Sequence, residues 1–211
     1  MNGTWQEASQ EQVRALVHKF RNHVSDDRQP LVDNITRLRA LSLSCHQDVV
    51  LFEGETRDQS GQAGVMAFLL HGKGITLLDG NSEHIHRLNA LNPAVIQTQL
   101  QAETYLKFFT GAMTGKESTF RILETAQELV WEDKQKDSSH DLVRKITPLE
   151  LLPHKNGWNG TGVMQYEKHL FVTKLTLSAD GAVIMEDDDL IVNNLPIADT
   201  RYTGLLRHEE F

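Results

Sequence analysis

The chain has one cysteine in 211 residues, five prolines, three tryptophans and three tyrosines. It also has no apolar run of bilayer length, and each scarcity excludes something. A lone thiol, Cys45, leaves no intramolecular disulfide and no cysteine-based zinc site. The most apolar stretch, Gly64 to Leu70, falls far short of the ~20 residues of a membrane-spanning helix. Basic residues are outnumbered, 21 Lys and Arg against 29 Asp and Glu, for a net charge of -8 at pH 7. A field of that sign repels phosphate backbones and anionic headgroups, so neither nucleic acid nor a membrane is expected as a partner. The opening Met1 to Glu7 has neither the basic end nor the apolar core of a signal peptide, and the expected compartment is the cytoplasm.

What is present is an ordinary globular composition, 39% apolar and 24% charged. A chain of this length can bury roughly 70% of the surface that its unfolded form exposes. From residue 9 to residue 24 the apolar positions Val13, Leu16, Val17, Phe20 and Val24 recur at three- and four-residue steps, with Ser9 and Gln12 spaced as a capping box. After the break at Ser25 to Pro30, Ile35, Leu38 and Leu41 repeat the period, which predicts a second helix over Leu31 to Leu43 and hence an αα-hairpin. Residues 1-44 are therefore read as a helical segment and 45-211 as an α+β domain, the whole forming one compact unit.

From Asp48 onward β-rich runs take over: VVLFEGETR, then Val65 to His71 and Ile75 to Leu78 around Gly72-Lys-Gly74. Asn81 to Leu88 reads as a loop or a single helical turn. Pro93 suits the first turn of a long helix to Met113, whose apolar face carries Ile96, Leu100, Ala102, Tyr105, Leu106, Phe109 and Met113. Phe120 to Trp131 is mixed, and Glu132 to Asp141 is a hydrophilic loop. Ile146 to Leu152, Gly162 to Tyr166, Leu170 to Leu177 and Ala182 to Met185 read as strands, the last two joined by the turn Ser178 to Gly181. Helices, strands, a central helix and an antiparallel meander in that order indicate α+β, with no βαβ alternation.

Four short stretches invite a chemical reading. Gly111 to Ser118, GAMTGKES, superficially suggests a phosphate-binding loop. Its glycines are separated by three residues instead of four, Glu117 stands where a magnesium-binding hydroxyl belongs, and a helix precedes it. It reads as a helix-ending turn. Glu83-His-Ile-His86 places two imidazoles in an H-x-H spacing, which on a strand would aim His84 and His86 at one metal. A third ligand would have to come from His71, His169 or Asp79. Glu186 to Asp189 lacks the spaced oxygens of a calcium loop. Cys45 and His46 are neighbours in sequence, which by itself does not make an activated thiol.

A set of strings resembles a group of uncharacterised bacterial proteins across about residues 65 to 197. The strings are Phe68-Leu-Leu, Leu77-Leu-Asp-Gly80, Ser82, Ile85-His86, Leu88-Asn89, Tyr105 to Phe109, Gly115, Phe120-Arg-Ile and Glu124. Tyr166, Leu170-Phe171, Asp180-Gly181, Val183, Met185, Asp187-Asp188 and Leu195-Pro196 continue the likeness. The resemblance brings no catalytic residue with it. It implies a helix-ending turn at Gly115, and it departs from the group at Glu83-His84, where prolines are expected. By analogy with small bacterial α+β proteins, a curved antiparallel sheet packed on the central helix would be of cystatin-like or nuclear transport factor 2-like form.

The expected function is a non-catalytic module that binds a small molecule or a protein, with no cofactor and with a homodimer as one assembly. Two alternatives stand beside it. One is a small-molecule enzyme of lyase, isomerase or hydrolase type that uses Asp79 and His86 as acid and base in a cleft, and the other is an acidic regulator of a partner protein.

Overall fold

The computed structural model describes residues 4–116, 118–132 and 140–210. A short strand, β1 (Gln6–Glu7), leads into α1 (Gln10–Arg21). The capping box forms as the sequence predicts: Gln12 N donates to Ser9 Oγ at 3.3 Å and Ser9 N to Gln12 Oε1 at 2.8 Å. The second helix is cut to a little over one turn, α2 (Gln29–Asp33), and Arg37 to Ser42 is a strand, β2. The helical period at Leu38 and Leu41 has a different origin. Leu38 and Ala40 pack on one side of the sheet and Leu41 and Leu43 on the other. A strand with both faces covered carries apolar residues of both parities, and a three-residue step between the two sets imitates a helix.

The predicted strands follow as β3 (Val50–Arg57), β4 (Ala63–His71) and β5 (Gly74–Leu78). The stretch read as a loop or single turn is a helix, α3 (Glu83–Leu91), burying Ile85 and Leu88. The long helix starts later than expected. Pro93 and Ile96 lie in an irregular lead-in, and α4 spans Gln99–Ala112 behind a Thr98/Gln101 capping box. The lead-in is held by its backbone: Val95 N donates to Cys45 O at 2.7 Å, and Trp158 Nε1 donates to Ile96 O at 3.1 Å. Leu100, assigned to the apolar face, is 65% exposed, whereas Ala102, Tyr105, Leu106, Phe108 and Phe109 are buried.

The remaining elements are β6 (Phe120–Leu123), α5 (His140–Lys145), β7 (Glu150–His154), β8 (Gly157–Tyr166), β9 (His169–Ser178), β10 (Val183–Val192), β11 (Asp199–Thr203) and β12 (Leu206–Glu210). Most of the hydrophilic loop read at Glu132 to Asp141 lies outside the described residues. The β9–β10 turn forms where predicted, with Gly181 at φ +86° and the Ser178 and Asp180 side chains accepting from Ala182 N. β11 and β12 had no counterpart in the sequence pattern.

The fold is α+β, built on two antiparallel sheets. The first runs β1-β2-β3-β4-β12-β11 with β5 also on β4, and the second runs β10-β9-β8-β6 with β7 also on β8. α4 lies between them. Its Tyr105, Leu106 and Phe109 share one core with Leu41, Leu51 and Leu69 of the first sheet and Ile122, Met164 and Leu175 of the second. α1 covers the opposite face of the first sheet, where Phe20 stacks on Phe68 at 4.4 Å. A third cluster, around Leu123, Leu142, Val163 and Leu170, closes the outer face of the second sheet.

Candidate functional site

The described residues of GAMTGKES form a helix-ending turn. Gly111 and Ala112 end α4, Met113 bridges to Gly80, and Gly115 N donates to Ser118 O at 2.8 Å, so the chain turns directly from helix to strand. Gly115 is required by crowding, since a Cβ there would sit 2.9 Å from both Phe120 and Tyr166. Ser118 Oγ anchors the turn by donating to the buried Asp199 carboxylate of β11. Glu117 lies outside the described residues.

Asp79 Oδ1 accepts from Asn81 N at 3.0 Å, closing its own turn, and lies 3.2 Å from His84 Nε2. His86, two residues further along α3, is exposed and packs its ring against Phe109 at 5.7 Å. Helical geometry sets residues two apart on widely separated sides, so Asp79 meets His84 and not His86. Among the described residues no three His, Cys, Asp or Glu side chains converge as metal ligands.

Cys45 and His46 begin a buried polar chain. The thiol lies 3.6 Å from His46 Nδ1, His46 Nε2 pairs with Asn89 Oδ1 at 2.9 Å, Asn89 Nδ2 donates to Tyr105 OH, and Tyr105 OH donates to Gly181 O at 2.7 Å. The order of groups is that of a thiol nucleophile with its base and orienting amide. The electrostatics oppose that use. Burial pushes the Cys45 thiol up to about 12 and holds the His46 imidazole below its ordinary value, the Asn89 bond offsetting part of the latter. A neutral thiol inside the core is a poor nucleophile. The chain ties α3, α4 and the β9–β10 turn together.

A cleft lies elsewhere, beside the C-terminal half of α4 and between strands of the two sheets. Its volume is about 840 Å³. Along β3 the residues facing α4 are Leu51, Glu53 and Glu55, so the inward face changes from apolar to acidic within one strand. Directly across from Glu53 in the ladder stands Arg39 of β2. Lys107 and Gly111 of α4 and Phe120 and Arg121 of β6 form the opposite wall, and Arg207 of β12 closes one side. Gly111 keeps that wall low, since a Cβ built on it would meet nothing within 4 Å.

The charges in this cleft are arranged, not scattered. Glu53 is 4% exposed and accepts from both Arg39, Nε at 2.9 Å, and Arg207. Burial alone would raise its pKa, but the two guanidiniums overcome this and hold the carboxyl below the usual range. Arg39 also stacks on the Trp5 ring at 4.2 Å. Lys107 joins Glu103 and, at 2.6 Å, Glu124; these carboxylates outweigh its desolvation and raise its pKa. Arg121 differs from all of these. It is half-buried, and desolvation lowers its pKa, with Glu128 and Glu209 near enough to offset part of that and Arg207 adding to it. Among the described residues it forms neither an ion pair nor a hydrogen bond through its guanidinium.

No family model matches this chain, and no curated protein and no solved structure is found to be similar to it. Sequence reasoning missed the cleft because its walls come from β2, β3, α4, β6 and β12, separated by up to about 170 residues of chain. One signal was present: Glu53 and Glu55 follow the apolar Val50 to Phe52 on a strand, and Glu53 shares a face with the buried Leu51.

Proposed function

We propose that this protein is a non-catalytic binding module whose ligand is a small polar molecule held in the cleft between the sheets, and that it works in the cytoplasm. The observation that carries this reading is the cleft itself. Its size lies within the ~300–1,000 Å³ of small-molecule sites, and its walls combine the Phe120 ring and Ile122 with convergent charged groups. Three of its five cations are engaged by glutamates, an arrangement suited to holding a shape more than to moving protons. The likeness to cystatin-like or nuclear transport factor 2-like folds belongs to the same proposal. It is supported by α4 lying against an antiparallel sheet, with the second sheet as an addition to that plan.

Gly111→Phe tests the reading, because Gly111 lines the cleft and a Cβ there would meet nothing within 4 Å, so the added side chain starts in open space. A library of small polar molecules screened by amide NMR should yield compounds whose shifts map to residues 53–57, 107–111, 119–122 and 207–209. Gly111→Phe should abolish those shifts while the melting temperature is kept. Hits that map elsewhere, or that ignore Gly111→Phe, would overturn the assignment.

A further inference from the structure

Resting on the reading of the cleft as a binding site, we propose that its ligand carries an oxyanion, a carboxylate or a phosphate, and that Arg121 is the residue that grips it.

Five Lys and Arg side chains line the cleft, and four of them are engaged. Arg39 and Arg207 are both committed to Glu53, and Lys107 to Glu103 and Glu124. Arg57 donates from Nη1 to Gly61 O at 2.9 Å. Arg121 is left with five N–H donors and no acceptor among the described residues, although it is drawn half out of water. A guanidinium in that condition is costly unless an acceptor completes it, and a planar oxyanion matches its fork with two parallel hydrogen bonds.

The surroundings narrow the choice. Arg121 sits on β6 opposite Gln165 of β8, so its backbone is fixed in a ladder and its side chain is carried on a rigid strand. Thr119 and Thr200 also line the cleft, with Thr119 N donating to Thr200 O at 2.9 Å, and both carry hydroxyls. Glu128 and Glu209 flank Arg121 without neutralising it by contact, and their fields oppose a polyphosphate chain. A compact group of low charge fits, such as a carboxylate or a single phosphate. The net charge of -8 would otherwise disfavour any anion, so a local cation reserved for one is the feature that makes such a ligand admissible.

The test uses the full chain, with inorganic phosphate and succinate as probes and sodium chloride at matched ionic strength as the control. Arginine Nε–Hε and backbone amide shifts are followed by NMR. A saturable shift of the Arg121 Nε–Hε signal and of the Thr119 to Ile122 amides is expected with phosphate, succinate or both; which of them acts identifies the oxyanion. Arg121→Met should weaken that binding about tenfold or more, and Arg121→Lys should recover part of it, since charge without the fork remains. Arg14→Met, on the exposed side of α1, should change nothing. Retained dispersion of the amide spectrum shows that each variant is folded. Absence of a saturable shift with both anions, or binding indifferent to Arg121→Met, overturns the inference. If neutral or cationic library compounds still bind in a manner abolished by Gly111→Phe but unaffected by Arg121→Met, the cleft remains the binding site and the oxyanion assignment alone falls.

Discussion

Two neighbouring rows on the same face of the first sheet have opposite characters. Leu41, Leu51 and Leu69 lie side by side across β2, β3 and β4, all buried beneath α4; one step along the strands the row is Arg39, Glu53 and Ala67. The covering helix changes in step with them. Phe109 and Leu106 press on the apolar core, whereas Lys107 and Gly111 border the cleft that the charged row faces. The first row excludes water and contributes stability through burial, while the second keeps polar groups satisfied by one another and leaves space. The contrast teaches that the cleft is an interruption in the same layer that supplies the core.

Three experiments test this contrast. The largest effect belongs to the closed row: Phe109→Ala should cost ~3–5 kcal/mol in denaturant melts, because a ring 4% exposed leaves a cavity between two sheets that cannot both collapse. A loss below about half a kcal/mol would mean that this half is not close-packed. Next comes the charged row. Glu53→Gln strips the counter-charge from Arg207 and from the partly exposed Arg39, and should cost about 3 kcal/mol. Replacing Arg39, Glu53 and Arg207 together by leucine should recover most of that loss while closing the cleft to ligand. If the triple variant stays as unstable as the single one, the ion pairs are structural in their own right and the contrast between the rows narrows.

The smallest effect is on pH dependence and concerns the core side. Because His46 is held below its ordinary imidazole value, the unfolded chain takes up a proton that the folded one resists. Its contribution to stability is therefore whole above the ordinary value of about 6.5 and is lost as pH falls below it. His71, lowered by burial and by Lys73, acts in the same direction. Glu53 has the same sign in a more acidic window, contributing above its ordinary 4.5 and losing that contribution as acid protonates it. Urea melts of the wild type should therefore weaken from about pH 7.5 to about pH 5.5. His46→Gln should flatten that slope in part, and an unchanged slope would place the imidazole in contact with water.

Much of the fold was legible in the sequence, and the reasons are local. The Ser9/Gln12 box, the β3-β4-β5 run and the Ser178 to Gly181 turn each rest on chemistry completed within a few residues. The errors fell where tertiary cover changes the meaning of a pattern. β2 was read as a helix because α1 and α4 bury both of its faces. β11 and β12 escape a sequence reading because Arg207, His208 and Asp199 supply polar groups where an apolar strand would be sought; Asp199 and His208 are buried and Arg207 largely so, by partners from elsewhere in the chain. Asp79 and His84 pair at the start of α3, His86 turns its ring to Phe109, and none of the three lines the cleft. Arg121 and Lys107 fall inside strings of the resemblance, which gives neither a role, and Glu53 lies outside it.

By itself, then, the sequence determined the α+β class, the capped first helix, the β4–β5 and β9–β10 hairpins and the helix-ending turn in GAMTGKES, since each depends on spacing that a few bonds enforce. Only the tertiary structure decided that α4 lies between two sheets, that the β2 row turns from leucine to arginine at the edge of a cleft, and that Arg121 has no partner there among the described residues. Pairing and desolvation are properties of a neighbourhood assembled from residues that lie far apart in the chain, and no local pattern encodes whether a given charge will find its counter-charge.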